Sequence, residues 1–195
     1  SNPSPPHVDG VSEGKILCGI YTYEKMHGRL VGVAETWGWR CDGFLAASTA
    51  TIDDPAQPGF PATDLPHEGK EEYNNMWQKT RSILSYMHDH YLDDYDYFYL
   101  AGDDTHLVVE NLRRILYDTE QAHDVANEPL FMGMKLMAEG KVFNGGGAGY
   151  VLSRLALQRL VRDAFPTCRV TARQSAEDRL VSMCLQTLNI HPLAT

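Results

Sequence analysis

Two adjacent acids, Asp103 and Asp104, close the run Tyr-Phe-Tyr-Leu-Ala-Gly at residues 97–102. An apolar strand there would deliver both carboxylates to its C-terminal end, the edge at which open α/β sheets bind ligands. Adjacent carboxylates repel unless a cation lies between them. Hard oxygen donors suit Mg²⁺ or Mn²⁺, which also hold phosphate oxygens. The plain alternative is an Asp-rich turn bonded to its own backbone. A second acidic pair is Glu177-Asp178. Ser175-Ala-Glu-Asp178 has the form of a capping box, so these acids read first as a helix start. The chemical reading is a general base held on a rigid helix end. The glycine run 145–149 matches neither G-x-G-x-x-G nor the P-loop pattern. It offers a backbone that can approach a ligand closely, or a plain loop.

Other candidates carry less. His106 lies two residues from Asp104 and could approach a metal, although a surface histidine is the plainer reading; His88 and His90 are scattered from it. Asp94-Tyr-Asp96 also has D-x-D form, but it precedes the strand and so belongs at the opposite sheet edge. No G-x-S-x-G marks a hydrolase nucleophile.

These groups need elements to position them. Apolar runs predict strands at 16–22, 43–48 and 95–100, and a strand-like segment at 130–136. Helical spacing predicts helices near 30–37, at 70–91 and at 108–117. Ser153 reads as the N-cap of a helix toward Ala164, and Ser175 as the cap of one reaching about Leu188. Residues 53–66 read as a loop, and 1–14 as a flexible lead-in to a single domain at 15–195. Strands alternating with helices give an α/β fold with a mostly parallel sheet.

Composition narrows the function. With 43% hydrophobic and 22% charged residues among 195, the chain is globular rather than disordered. The net charge of −9 excludes a non-specific nucleic-acid binder, which needs a basic face. It admits an anionic ligand only through a cation or a local donor cluster. No run of about 18 apolar residues is present. The four cysteines show no zinc spacing. They read either as buried thiols or as two local pairs, Cys18 with Cys41 and Cys168 with Cys184, in an oxidising compartment.

Several short pieces, taken in order, match a family. They are residues 16–18, Glu35-Thr-Trp-Gly38 with Arg40-Cys41, Trp77-Gln-Lys-Thr80 and His90-Tyr-Leu-Asp-Asp94. Next come Gly102-Asp-Asp-Thr105, residues 109–113, residues 145–153, and Glu177-Asp178 before Cys184. Residues 16–188 thereby resemble the core 1 β1,3-galactosyltransferases of the Fringe-like β3-glycosyltransferase group. The resemblance implies a GT-A fold, a mixed, mostly parallel sheet flanked by helices. It implies inverting transfer of galactose from UDP-galactose to the 3-hydroxyl of GalNAc on Ser or Thr, with Mn²⁺ as cofactor. It assigns Asp104 and Asp103 to the metal, and Asp178 to the catalytic base. It places Gly146, Gly147, Ala148, Gly149, Tyr150 and Glu177 at the donor and acceptor sugars, and Thr22, Trp37 and Gly102 at the nucleotide. The four cysteines then look like two luminal disulfides.

The same resemblance implies a Golgi-lumen enzyme, membrane-anchored in its parent as a type II protein, with a glycoprotein acceptor and a homodimer as one of its states. Two positions depart from the family pattern. Gly102 stands where the family's acidic triplet begins, and Ala34 where a basic residue is frequent. The family also continues past the position of Thr195 to a metal-binding His, so the domain is expected to be incomplete at its C-terminus. The alternatives are a non-catalytic, chaperone-like relative, a transferase for another UDP-sugar, and an unrelated metal-dependent phosphohydrolase.

Overall fold

The computed structural model describes residues 10–49 and 62–194. Most of the 1–14 lead-in and of the 53–66 loop lie outside them. Within them, Ser12 is buried, and its hydroxyl donates to Glu120 at 2.5 Å, so the last part of the lead-in is tied to the body.

The chain begins with strand β1 (Ile16–Tyr21), helix α1 (Gly28–Thr36) and strand β2 (Gly43–Ser48). A short strand β3 (Ala62–Asp64) lies within the stretch expected to be loop. A 3₁₀ turn (Tyr73–Asn75) leads into α2 (Met76–Tyr91), which starts later than the expected residue 70. Strand β4 (Tyr97–Gly102) and helix α3 (Val109–Ala122) follow. The segment expected as one strand at 130–136 divides into β5 (Phe131–Gly133) and β6 (Lys135–Ala138). The latter forms a separate hairpin with β7 (Lys141–Asn144). Strand β8 (Tyr150–Ser153) runs into α4 (Arg154–Arg159), with the Ser153 hydroxyl accepting the Ala156 N–H as its cap. A π-turn (Leu160–Ala164) completes the expected helix. Helix α5 (Glu177–Gln186) and strand β9 (Pro192–Ala194) end the fold.

The main sheet has the order β3-β2-β1-β4-β8-β5-β9. β1, β2, β3 and β4 are mutually parallel, and β8 is antiparallel to both its neighbours. This is the expected mixed, mostly parallel sheet, and it fits a GT-A α/β architecture. Alternation along β1 builds both faces. Ile16, Cys18 and Ile20 pack with Leu30 and Val33 of α1 and Leu112 and Leu116 of α3. Leu17 packs on the other face with Ile83, Leu84 and Met87 of α2 and with Val181 and Leu185 of α5. The result is three layers.

The topology fixes where a site can form. From β1 the chain moves outward to β2 and β3, then returns across β1 to β4. The connections leaving β1 and β4 therefore diverge, which opens a crevice at their C-terminal ends. Tyr21 pairs with Gly102 there, so Thr22 and Asp103 leave the sheet side by side.

Candidate active site

The crevice is a cleft of about 870 Å³. Its lining includes Tyr21 and Thr22 after β1, Gly102, Asp103 and Asp104 after β4, Gly146 and Gly147, and Glu177 and Asp178 at the start of α5. Segments far apart in the chain thus supply one wall each.

On the β4 side the two carboxylates differ. Asp103 has both oxygens engaged: Arg29 donates to Oδ1 at 2.7 Å and the Thr22 hydroxyl to Oδ2 at 2.7 Å. Arg29 is held more strongly protonated by that bond and by the charge of Asp103. Asp104 has 76% of its side chain exposed, and Arg29 stands 3.9 Å from it. Asp104 is therefore the carboxylate open to a cation, while Asp103 is oriented from behind. One carboxylate, completed by phosphate oxygens and water, is a donor set that Mg²⁺ or Mn²⁺ accepts. Among the described residues, no three of His, Cys, Asp and Glu converge as a metal-binding group. His106 is exposed, and His88 pairs with Asp89 and Arg162 elsewhere.

Gly102 has a steric reason. A Cβ there would lie 2.9 Å from Asp104 Oδ1 and 3.1 Å from the Tyr21 ring. An acid at this position would have to displace Asp104.

On the opposite wall, Ser175 is not the N-cap of α5. Ala176 holds that position without a side-chain cap, and the Ser175 carbonyl accepts the Glu177 N–H at 2.9 Å. Asp178 takes over part of the capping. Its Oδ1 accepts the Arg179 N–H at 2.7 Å, and its Oδ2 accepts the Gly146 N–H at 2.9 Å. Each oxygen keeps a second lone pair. Gly146 approaches so closely that a Cβ on it would stand 2.5 Å from Glu177 Oε1. Glu177 is 4% exposed and accepts the Tyr150 hydroxyl at 3.0 Å. Burial, then the charge of Asp178, pushes the Glu177 carboxyl up to about 8, against the opposing pull of the Tyr150 bond. A helix N-terminus favours a carboxylate by only about 0.3–1 kcal/mol, less than one pKa unit, so burial wins. Tyr21 forms the floor, and its hydroxyl is pushed up by burial and by Glu177, Asp104 and Asp178 together.

Four expected site residues, Trp37, Ala148, Gly149 and Tyr150, do not line the cleft. Trp37 is a correction: it is 2% exposed and packs edge-on against Tyr99 and Phe44 on the α1–α3 side of the sheet. The indole is part of that layer's core and is not among the residues lining the cleft. Ala148 points away, and its carbonyl accepts the Tyr99 hydroxyl at 2.9 Å. Gly149, at φ 74°, turns the chain over the Tyr99 ring into β8. Tyr150 supports Glu177 from beneath. Arg29 and Lys79 were not legible as site residues. Lys79 lies within the matched Trp77–Thr80 piece and on the apolar stripe of α2 four residues before Ile83, but neither signal gave it a role.

Both expected disulfides are present, Cys18–Cys41 and Cys168–Cys184. The second ties α5, which carries Glu177 and Asp178, to the segment after the π-turn. Among the described residues no helix is long and apolar enough to cross a membrane.

The chain is 31% identical over 193 residues to glycoprotein-N-acetylgalactosamine 3-beta-galactosyltransferase 1 of Xenopus laevis, covering 95% of this chain and 50% of that protein. It is 30% identical over 162 residues to chondroitin sulfate synthase 3 of Homo sapiens, covering 75% of this chain and 18% of that protein. The chain therefore spans half the length of the first relative and less of the second. No protein-family model matches. Among solved structures, a CMP:2-keto-3-deoxy-manno-octonic acid synthetase complexed with CTP aligns with 93% of this chain and 90% of its own, at 12% identity and a TM-score of 0.47.

Proposed function

We propose that this chain, whose relatives support a β3-glycosyltransferase family, carries the nucleotide-sugar site of an inverting transferase. Its reaction moves galactose from UDP-galactose to the 3-hydroxyl of a GalNAc on Ser or Thr. The observation that carries the reading is a cleft with an acid pair on each wall, Asp104 open to solvent on one and Asp178 fixed by backbone on the other. The donor sugar and its diphosphate lie toward Asp103 and Asp104, with Thr22 and Gly102 beside the nucleotide. Asp104 would hold Mn²⁺, and Asp103, turned by Thr22 and Arg29, shapes the same corner. Mn²⁺ supplies neutralisation of charge on the departing UDP when it is bound.

Asp178 is the general base. Its free lone pairs take the proton of the acceptor hydroxyl as that oxygen attacks the anomeric carbon. The bond from that carbon to the UDP oxygen breaks as the new C–O bond forms, and the α-linked donor becomes a β-linked product. Gly146, Gly147 and the buried Glu177 bound the space for the sugars. The two disulfides fit an oxidising, secretory-lumen setting such as the Golgi.

The test is direct. Purified full-length parent protein with Mn²⁺, UDP-galactose and a GalNAc-bearing peptide should yield a product heavier by one hexose, and chelation should abolish it. Absence of product across several UDP-sugars and acceptors would overturn the reading. The second relative's name makes a glycosaminoglycan acceptor one of the acceptors to include.

A further inference from the structure

Lys79 is the one Lys or Arg among the described residues that is buried, at 4% exposure, and it lines the cleft without belonging to either acid pair. Its place is costly on two counts. A buried ammonium needs full pairing, and the first turn of a helix, where α2 carries it, repels positive charge. Local rules broken in this way mark positions retained for another reason.

The pairing is specific. Lys79 Nζ donates to the Thr22 carbonyl, and to Glu71 Oε1 at 2.8 Å. The other Glu71 oxygen lies 2.8 Å from His67 Nε2. Thr22 in turn donates its hydroxyl to Asp103, whose second oxygen takes Arg29. Hydrogen bonds therefore link His67, ahead of α2, through Glu71 and Lys79 to the Thr22 carbonyl, and the hydroxyl of the same Thr22 continues the path to Asp103. Between its ends it holds the segment that presents Glu72 and Tyr73 to the cleft mouth, and Tyr73 is 77% exposed there. Thr22 needs this partner: its N–H is satisfied by Ala47 at 2.9 Å, but β1 has already ended and its carbonyl relies on Lys79.

We infer that Lys79 is a positioning residue for the diphosphate corner. It fixes the peptide after β1, so that Thr22 presents its hydroxyl to Asp103. The same ammonium latches the Glu71–Tyr73 wall to that corner, so the two move as one unit. The ligand served is a nucleoside diphosphate with its cation, and the inference rests on the donor-site reading above.

The experiment compares wild type with Lys79→Met, Glu71→Gln, Asp103→Asn and the Lys79→Met/Asp103→Asn double variant. It reads UDP affinity in Mn²⁺ by calorimetry and amide hydrogen exchange of the unliganded proteins. Lys79→Met should weaken UDP binding by about tenfold and Glu71→Gln by less, as members of one network. In the Asp103→Asn background the Lys79→Met effect should shrink to within about twofold, because the neutral amide no longer anchors both Thr22 and Arg29 through charge-assisted bonds. A merely structural lysine would give additive effects. Exchange should quicken together at residues 21–23 and 71–75 in Lys79→Met while the β4 amides stay protected. Wild-type UDP affinity in Lys79→Met, additivity with Asp103→Asn, or exchange that quickens at one segment alone would each overturn the inference. If the wild type binds no UDP, the donor reading falls, and the paired exchange still decides whether Lys79 couples the two segments. If Lys79→Met does not fold, Glu71→Gln carries both readouts.

Discussion

Two acid pairs face one cleft and are held in opposite ways. At the end of β4, side chains from distant elements do the holding: Arg29 and Thr22 fasten Asp103, and Asp104 is left 76% exposed. At the start of α5 the backbone does it: Asp178 receives two main-chain N–H groups, and Glu177 lies buried above Tyr150. An exposed carboxylate can take up a cation with little desolvation cost. A carboxylate fixed by main-chain donors loses little freedom when it meets a hydroxyl in a fixed direction. The first wall is suited to a mobile, charged ligand and the second to proton transfer. On the proposed reading, the acidic protein would meet its anionic donor where a cation can intervene.

The sharpest way to break that comparison is to substitute both walls and read binding and turnover separately. Asp178→Asn should lower transfer by about 10²–10⁴-fold, the range of a lost general base, with UDP affinity within about twofold of wild type. Wild-type turnover would reduce Asp178 to a helix cap. Asp104→Ala should do the reverse in kind, weakening Mn²⁺-dependent UDP binding by about tenfold or more in calorimetry. Unchanged Mn²⁺ dependence would remove the metal from that wall. Asp103→Asn should fall between wild type and Asp104→Ala, because its oxygens already have protein partners.

Legibility in the sequence follows the same division. The apolar runs of β1, β2 and β4 announce themselves, so the acids that follow β4 could be placed at a sheet edge before any coordinates. Gly146 and the Glu177–Asp178 pair were also visible, because unusual residue types are adjacent in the chain. Arg29 was not, and Lys79 was visible only inside the matched Trp77–Thr80 piece, without a role. Each looks like an ordinary helix residue, and its partner is 74 or 57 positions away. Strand β8 was hidden for a different reason: its four residues follow a glycine turn directly, and its strand identity comes from pairing with β4 and β5. Trp37 was placed at the nucleotide by the resemblance alone, and the structure puts its indole in the α1–α3 layer, outside the cleft lining. The Ser175 capping box failed by one residue, since Asp178 supplied the helix start with its own carboxylate.

The buried member of the second wall predicts a smaller effect, on stability rather than rate. Glu177 keeps its proton in the folded protein until about pH 8, whereas the unfolded chain releases it near the ordinary 4.5. Between those values the folded state binds more protons, so this group's contribution to stability is present at low pH and declines as pH rises toward 8. Glu177→Gln should remove that decline. The difference in melting temperature between wild type and variant, followed from pH 5 to 8, isolates it from the other carboxylates. A difference that is flat over that range would mean Glu177 ionises normally and the second wall is wetter than its burial implies.

The smallest effect tests the first wall at Gly102. The family resemblance suggests that an acid there should strengthen the site. The geometry gives the opposite sign, because any Cβ at 102 stands 2.9 Å from Asp104 Oδ1. Asp104 is the exposed end of a free side chain and can swing away at low cost. Gly102→Ala should therefore leave the melting temperature nearly unchanged, the crowding being offset by about 0.5–1 kcal/mol of backbone entropy no longer lost on folding. It should still weaken Mn²⁺-dependent UDP binding by about two- to fivefold, since the carboxylate that moves is the one open to the cation. Gly102→Asp adds a charge to the same displacement and should bind UDP no better than Gly102→Ala. Tighter binding by Gly102→Asp than by wild type would show that the corner has room for a third carboxylate and that Asp104 does not act alone.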